Sequence, residues 1–160
     1  MKLSRILSFG LLVLVLSATT AFAQSPFQLA LFNPVQIISE SQGIGGIRLD
    51  LIYGKNTSVG GLDLGLVNHT TSGISKGIEW GLVGYNEGSF TGWQGNAVSI
   101  TRENFTGLQT GWYTTARHCG GVQIGIVNHS GTMKGIQIGL LNFIDEGGFL
   151  PIFPIVNWSL

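Results

Sequence analysis

The feature that most constrains the fold of this chain is an octapeptide that recurs every 14 to 16 residues. Each copy begins with glycine, five of the seven have glycine again at the fifth position, and three have asparagine at the eighth. The clearest copies are GVQIGIVN at 121–128 and GIQIGLLN at 135–142, and the copy at 92–99 is the loosest. The seven copies begin at residues 46, 61, 77, 92, 107, 121 and 135. Such self-similarity at a short period is typical of a repeat architecture.

Residues within each copy alternate between two faces, which predicts a β-strand. Positions two, four and six are apolar in most copies, as in Ile136, Ile138 and Leu140. The residue at the third position lies on the opposite face of the strand and is polar. This polar row, the candidate interior row, consists of Arg48, Asp63, Glu79, Gln94, Gln109, Gln123 and Gln137. Because no segment after residue 23 has a convincing helical period, the chain is predicted to be all-β.

Two flanking segments complete the predicted set of strands. Residues 27–38 alternate like a strand, and residues 149–160 form a last strand that Pro151 and Pro154 assign to an edge or an irregular position. The total is then about 8–10 strands.

Two architectures can be built from such repeats. Eight extended residues cover about 26 Å, and the rest of each repeat is rich in Gly, Ser, Thr and Asn, which favour tight turns. An antiparallel meander, closed into a small barrel so that no edge stays open, is therefore the predicted fold. A parallel β-solenoid, with one coil per repeat, is the alternative.

The barrel interpretation leaves open which face of the strands meets the core. In an outer membrane the apolar positions would face lipid and the polar row the interior, where Arg48 could pair with Asp50, Asp63 or Glu79. Three apolar residues span only about 17 Å, however, against a lipid-facing band of about 25 Å. A soluble barrel with the apolar side chains inside therefore remains open.

The N-terminus is typical of a cleaved export signal. Lys2 and Arg5 precede a short apolar run at 6–16, and Ala21-Phe22-Ala23 supplies the small residues that signal peptidase reads. The predicted organisation is thus a signal peptide at 1–23 and one β-repeat domain at 24–160. Without Lys2 and Arg5, six basic residues face eight acidic ones, a net charge near −2. This balance argues against a nucleic-acid partner, which would need a basic stripe.

The sequence shows no arrangement that points to catalysis, a metal or a cofactor. His118 and Cys119 are adjacent, with His69 and His129 as possible partners, but the close spacing of metal ligands is missing. His69 and His129 follow the asparagine that closes a copy and are interpreted as equivalent turn residues. Phosphate-binding, nucleophile-elbow and zinc-protease motifs are also absent from the sequence. We therefore predict no enzyme, no metal site and no cofactor.

The octapeptide pattern, the segment LFNPVQ at 31–36 and the closing segment at 147–158 resemble exported surface-repeat proteins of Leptospira and other bacteria. The resemblance covers nearly all of residues 24–160. It implies a location in the cell envelope or on the surface, and it offers no established activity and no catalytic or ligand-binding residues. The leading hypothesis is a non-enzymatic envelope protein, a small outer-membrane β-barrel that contacts outer-membrane lipid or another envelope component. The alternative is a soluble periplasmic or surface-exposed β-repeat binding module.

Overall fold

The computed structural model describes residues 24–160, so the predicted signal peptide at 1–23 lies outside the described residues. The described chain is all-β, which confirms that part of the prediction. Within residues 24–160, no helix is long and apolar enough to cross a membrane. The strands are β1 (Ser25–Phe32), β2 (Val35–Gln36), β3 (Ile44–Asn56), β4 (Gly60–Thr70), β5 (Ile74–Asn86), β6 (Ser89–Glu146) and β7 (Ile152–Ser159). They form one sheet in the order β2-β1-β3-β4-β5-β6-β7.

Successive copies of the octapeptide run parallel and stack in register. Gly61 lies opposite Gly77, and Gly77 lies opposite Gly92. β6 extends over 58 residues because it contains the last four copies together with their connections. The architecture is therefore a parallel β-solenoid in which each repeat forms one coil. The predicted antiparallel closed barrel is wrong, and the alternative fold is the one observed.

The first glycine of each copy explains why the chain coils instead of turning back on itself. From the second copy onward its φ angle is positive, for example 137° at Gly121, a conformation that glycine adopts without the strain of a side chain. A side chain there would also collide with the carbonyl oxygen of the first glycine of the preceding copy, as at Gly121 against Gly107, so glycine allows successive copies to stack closely in parallel coils. The connections that were predicted as turns are themselves largely extended, and His69 and His129 lie within β4 and β6.

Antiparallel strands close the two ends of the solenoid. β2 pairs with β1 at one end, and β7 pairs with the last coil of β6 at the other. β7 forms an edge of the sheet, as Pro151 and Pro154 predict.

The interior of the solenoid is mostly polar, whereas apolar side chains point outward. In the coil that begins at Gly121, Gln123, Asn128 and Ser130 are buried, while Ile124 and Ile126 are exposed. A smaller apolar cluster fills one corner of the interior and consists of Phe90, Phe105, Ala116, Cys119, Met133 and Ile144. This distribution reverses the usual preference of large apolar side chains for the inside of a soluble domain.

Candidate interaction surface

The polar row forms the centre of the solenoid. All seven of its residues are at most 2 % exposed. Along the last four coils the glutamine side chains form a ladder. Gln109 Nε2 donates to Gln94 Oε1 at 2.8 Å, and Gln123 donates in the same way to Gln109 at 2.7 Å. Gln137 extends the ladder to Gln123 at 2.8 Å. Because buried amides are costly unless they are hydrogen-bonded, this ladder holds neighbouring coils in register.

A second interior ladder uses the eighth position of the copies and was not found by sequence reasoning, which treated this asparagine as a strand end. Asn128 Nδ2 donates to Asn142 Oδ1 at 2.8 Å, and Asn128 Oδ1 accepts from Thr114 Oγ1 at 2.7 Å. Asn128 and Asn142 are completely buried. The eighth position carries asparagine in three copies and a short polar residue, Ser99 or Thr114, in two others, and this recurrence of short polar side chains is the signal that could have indicated an interior hydrogen-bonded row.

The first coils replace the amide ladder with charged side chains. Arg48 lies in the interior and makes a bidentate contact with Asp63, with both N–O distances at 2.7 Å. Its Nη1 also donates to the carbonyl oxygen of His69. Asp50 Oδ2 lies 3.0 Å from Arg48 Nε, but that N–H is directed to Asp63, so the Asp50 carboxyl accepts no hydrogen bond. The predicted pairing of Arg48 thus involves Asp63 and Asp50.

Glu79 lies next in the row and is held by amides instead of a cation. Its Oε1 accepts from Gln94 and Asn96, at 3.0 and 2.7 Å, and its Oε2 accepts from Asn86 at 2.8 Å. Glu79 therefore joins the charged coils to the start of the glutamine ladder.

The interior cluster contains one cation and three carboxyl groups, and this imbalance changes their ionisation. Burial raises the pKa of Asp50 to about 7, and the negative charge of Asp63 adds to the rise against the attraction of Arg48. Burial, with the charge of Asp63, also raises the pKa of Glu79 to about 7. The pKa of Asp63 is raised by burial despite its contact with Arg48.

We expect the free energy of unfolding to fall as the pH rises from about 4 to about 7, and then to level off. Asp50 and Glu79 keep their protons up to about pH 7 in the folded protein, whereas the unfolded chain releases them near pH 4. Raising the pH across this interval therefore favours the unfolded chain. At about 1.4 kcal/mol per pKa unit, the loss is on the order of 4 kcal/mol for Asp50 alone.

Urea unfolding at pH 5 and pH 8, followed by circular dichroism, measures this dependence. Asp50→Asn should make the profile shallower, because it removes one of the two carboxyl groups whose pKa is raised to about 7 in the folded protein and leaves the other, Glu79. A stability that rises from pH 5 to pH 8 would contradict the expectation.

The outer side of the octapeptides forms one continuous apolar face, which we define as positions two, four and six of all seven copies. Twelve of its large apolar side chains are between 38 % and 68 % exposed, and others, such as Leu62 and Trp93, are half-buried. The exposed members are Ile47, Leu51, Leu66, Ile78, Trp80, Leu82, Trp112, Ile124, Ile126, Ile136, Ile138 and Leu140. Single exposed apolar residues are ordinary, but a contiguous patch of this extent is typical of an interaction site.

The middle copy interrupts this face with a notch. Gly95 and Ala97 occupy positions four and six, where other copies carry larger side chains, and they leave a depression of about 280 Å³. Trp80, Trp93 and Trp112 border it, and the Trp93 ring nitrogen donates to Thr110 Oγ1 at 3.1 Å. This copy therefore matches the repeat poorly because it changes the shape of the surface locally. It still stacks in register with the copy at Gly77.

The residues considered for catalysis or metal binding are separated by the fold. Burial raises the pKa of the Cys119 thiol to about 12, which opposes formation of the reactive thiolate. His118 lies outside and its Nδ1 contacts Thr132 Oγ1 at 2.8 Å. His69 and His129 lie in different coils, paired with Glu87 and Asp145 respectively. Among residues 24–160, no group of three His, Cys, Asp or Glu side chains is arranged to hold a metal ion.

Comparison of the chain with protein-family models, with curated proteins and with solved structures found no match. What the chain does must therefore be inferred from its own residues and their arrangement.

Proposed function

We propose that this chain is a non-enzymatic, exported β-repeat binding module of the bacterial cell envelope, and that the apolar face is its binding surface. The observation that carries the proposal is the exposure of large apolar side chains on successive coils of the solenoid. Leaving such a face in water is unfavourable by roughly 25 cal/mol for each Å² that a partner could cover. A partner that covers the face therefore gains binding free energy along its whole length.

The location is proposed from the N-terminus and from the resemblance to exported surface-repeat proteins. The pattern of Lys2, Arg5 and Ala21-Phe22-Ala23 supports export. Because the chain forms a solenoid rather than a closed barrel, the soluble or surface-exposed binding module is better supported than the outer-membrane barrel. A non-enzymatic role is supported by the inert surroundings of Cys119 and by an interior in which the glutamine amides bond to one another.

In cells that export the chain, we expect the mature protein to occur bound to membrane or protein and not as a free monomer. Leu82→Lys combined with Ile126→Lys places two charges on the apolar face and should release most of the protein as free monomer, because a buried unpaired charge is strongly unfavourable. Detergent-free fractionation, followed by measurement of the native size of each fraction, tests the expectation.

The matched control combines Asn104→Lys with His118→Lys. Both residues are exposed and lie outside the apolar face, so the same added charge should leave the distribution unchanged. Recovery of the wild-type chain as a free monomer in the periplasmic extract would reject the proposed function.

A further inference from the structure

We propose that the partner on the apolar face is a second copy of this chain, packed face to face about a twofold axis that passes through the notch. This inference rests on the proposed function, because it accepts the apolar face as the binding surface and names what covers it. Three properties of the face support it: its area, its relief and its lack of charge.

The area is that of a standard protein–protein interface. β1 and β7 extend the face at both ends, since Phe27 lies opposite Ile47 and Trp158 lies opposite Ile136. β1, the seven copies and β7 make nine neighbouring strand segments about 4.8 Å apart, so the face is roughly 38 Å long. The three outward positions of each copy, with their side chains, give it a width of roughly 18 Å. The footprint is thus on the order of 700 Å², close to the roughly 800 Å² per partner of a stable complex.

The shape of the apolar face, with a notch beside an exposed tryptophan, is compatible with twofold symmetry. In a twofold dimer the same patch of both copies meets, so a depression that lies on the axis can be filled by protrusions that flank it on either side. Counting β1, the seven copies and β7 in order across the face, the copy at Gly92 is the fifth of nine and places the notch in the middle. Trp112, on the next coil, borders the notch and is 67 % exposed. Protrusion and depression are therefore neighbours at the centre.

A twofold axis that lies in the interface and runs parallel to the middle strand satisfies these requirements. It lays β1 of one copy over β7 of the other and keeps the strands of both sheets aligned, about 10 Å apart. Trp112 of each copy then lies one coil spacing, about 5 Å, to the side of the notch of the other copy. Its indole ring can fill the space above Ala97, beside the Trp93 ring that already packs over Gly95.

The charges favour a second copy over a lipid surface. No charged side chain occupies positions two, four or six of any copy, and residues 24–160 carry a net charge near −2. Lys76 and Lys134 immediately precede two of the copies, but peripheral docking on anionic lipid depends on clusters of basic residues. An uncharged face with aliphatic rows matches an identical face, as in the core of a β-sandwich.

Sedimentation of the mature chain, residues 24–160, tests the proposal, and we expect a dimer at micromolar concentration. Ala97→Arg should raise the dimer dissociation constant by at least about 100-fold, because it buries a charge at the axis. Trp112→Ala should raise it about 30-fold, as expected for a central interface tryptophan. Asn104→Arg, which adds the same charge outside the face, should have no effect, and circular dichroism verifies that each variant is folded.

Cross-linking tests the symmetry. Ala97 lies on the proposed axis, so Ala97→Cys should join two copies through a short bismaleimide. Leu140 occupies the same position three coils away, and Leu140→Cys should fail because the two thiols lie roughly 30 Å apart along the face. Cys119 is buried and is the same in both variants.

The outcomes separate this inference from the proposed function. If the wild-type chain is a monomer, the proposed face-to-face dimer is wrong. It is also wrong if the wild-type chain forms a dimer that is unaffected by both Ala97→Arg and Trp112→Ala. A monomer that binds vesicles of neutral and anionic phospholipid through the apolar face overturns the dimer but retains the binding surface. A monomer that binds no vesicles and occurs free in the periplasmic extract overturns both proposals.

Discussion

Arg48→Met is expected to lower the free energy of unfolding by about 3–5 kcal/mol at pH 7.5, the cost of removing one partner from a buried ion pair. The substitution keeps an apolar stem but leaves Asp50, Asp63 and Glu79 in the interior without a cation. Their pKa values would rise further, so part of the lost stability should return at pH 5, where the carboxyl groups bind protons. Urea unfolding of the wild type and the variant at both pH values measures the two effects.

Arg117→Met is the matched control for this prediction. Arg117 is exposed and its nearest carboxylate oxygen, on Glu103, lies 3.7 Å away, so its replacement should change stability by no more than about 0.5 kcal/mol. Adding Asp63→Asn to Arg48→Met should recover stability, because one buried carboxylate is removed with the cation. Equal losses for Arg48→Met and Arg117→Met would show that the interior pair is not the cause.

Gly121→Ala is expected to destabilise the solenoid by about 3 kcal/mol or more. Residues with a side chain are strained by about 1–3 kcal/mol in such a conformation, and φ at Gly121 is 137°. The added methyl group would also collide with the carbonyl oxygen of Gly107 in the preceding coil, which is rigid backbone. Thermal unfolding followed by circular dichroism should show a Tm lower by about 10 °C.

The neighbouring glycine provides the control. A methyl group at Gly120 would lie 3.6 Å from the carbonyl oxygen of Phe105 and from Thr106 Oγ1, which are ordinary contacts. Gly120→Ala should therefore be neutral or stabilise by about 0.4–1 kcal/mol, through the reduced flexibility of the unfolded chain. If the two variants melt at the same temperature, glycine at the first position of each copy is not required for the coils to stack.

The candidate surface could be predicted in part. Trp80 and Trp112 stand at positions four and six of their copies, which the alternation predicts to be on the apolar side because it is a local property of extended backbone, and both are exposed in the structure. The notch could not be derived, since Gly95 and Ala97 look like a poor copy until the neighbouring coils surround them. The structural role of the buried asparagines was likewise hidden, because it depends on contacts between coils.

The amino-acid pattern alone is enough to predict that the chain is built of β-strands and that each octapeptide has an apolar and a polar side. These properties follow from a period of two residues and need no knowledge of distant contacts. The parallel stacking of the copies in coils emerges only from contacts between them, because parallel and antiparallel pairing can bring together the same faces of the same strands. The choice depends on the path between copies, which passes through positive-φ glycines such as Gly121 and closes around the amide ladders. That closure turns the apolar sides outward and creates the face through which we propose that the protein binds.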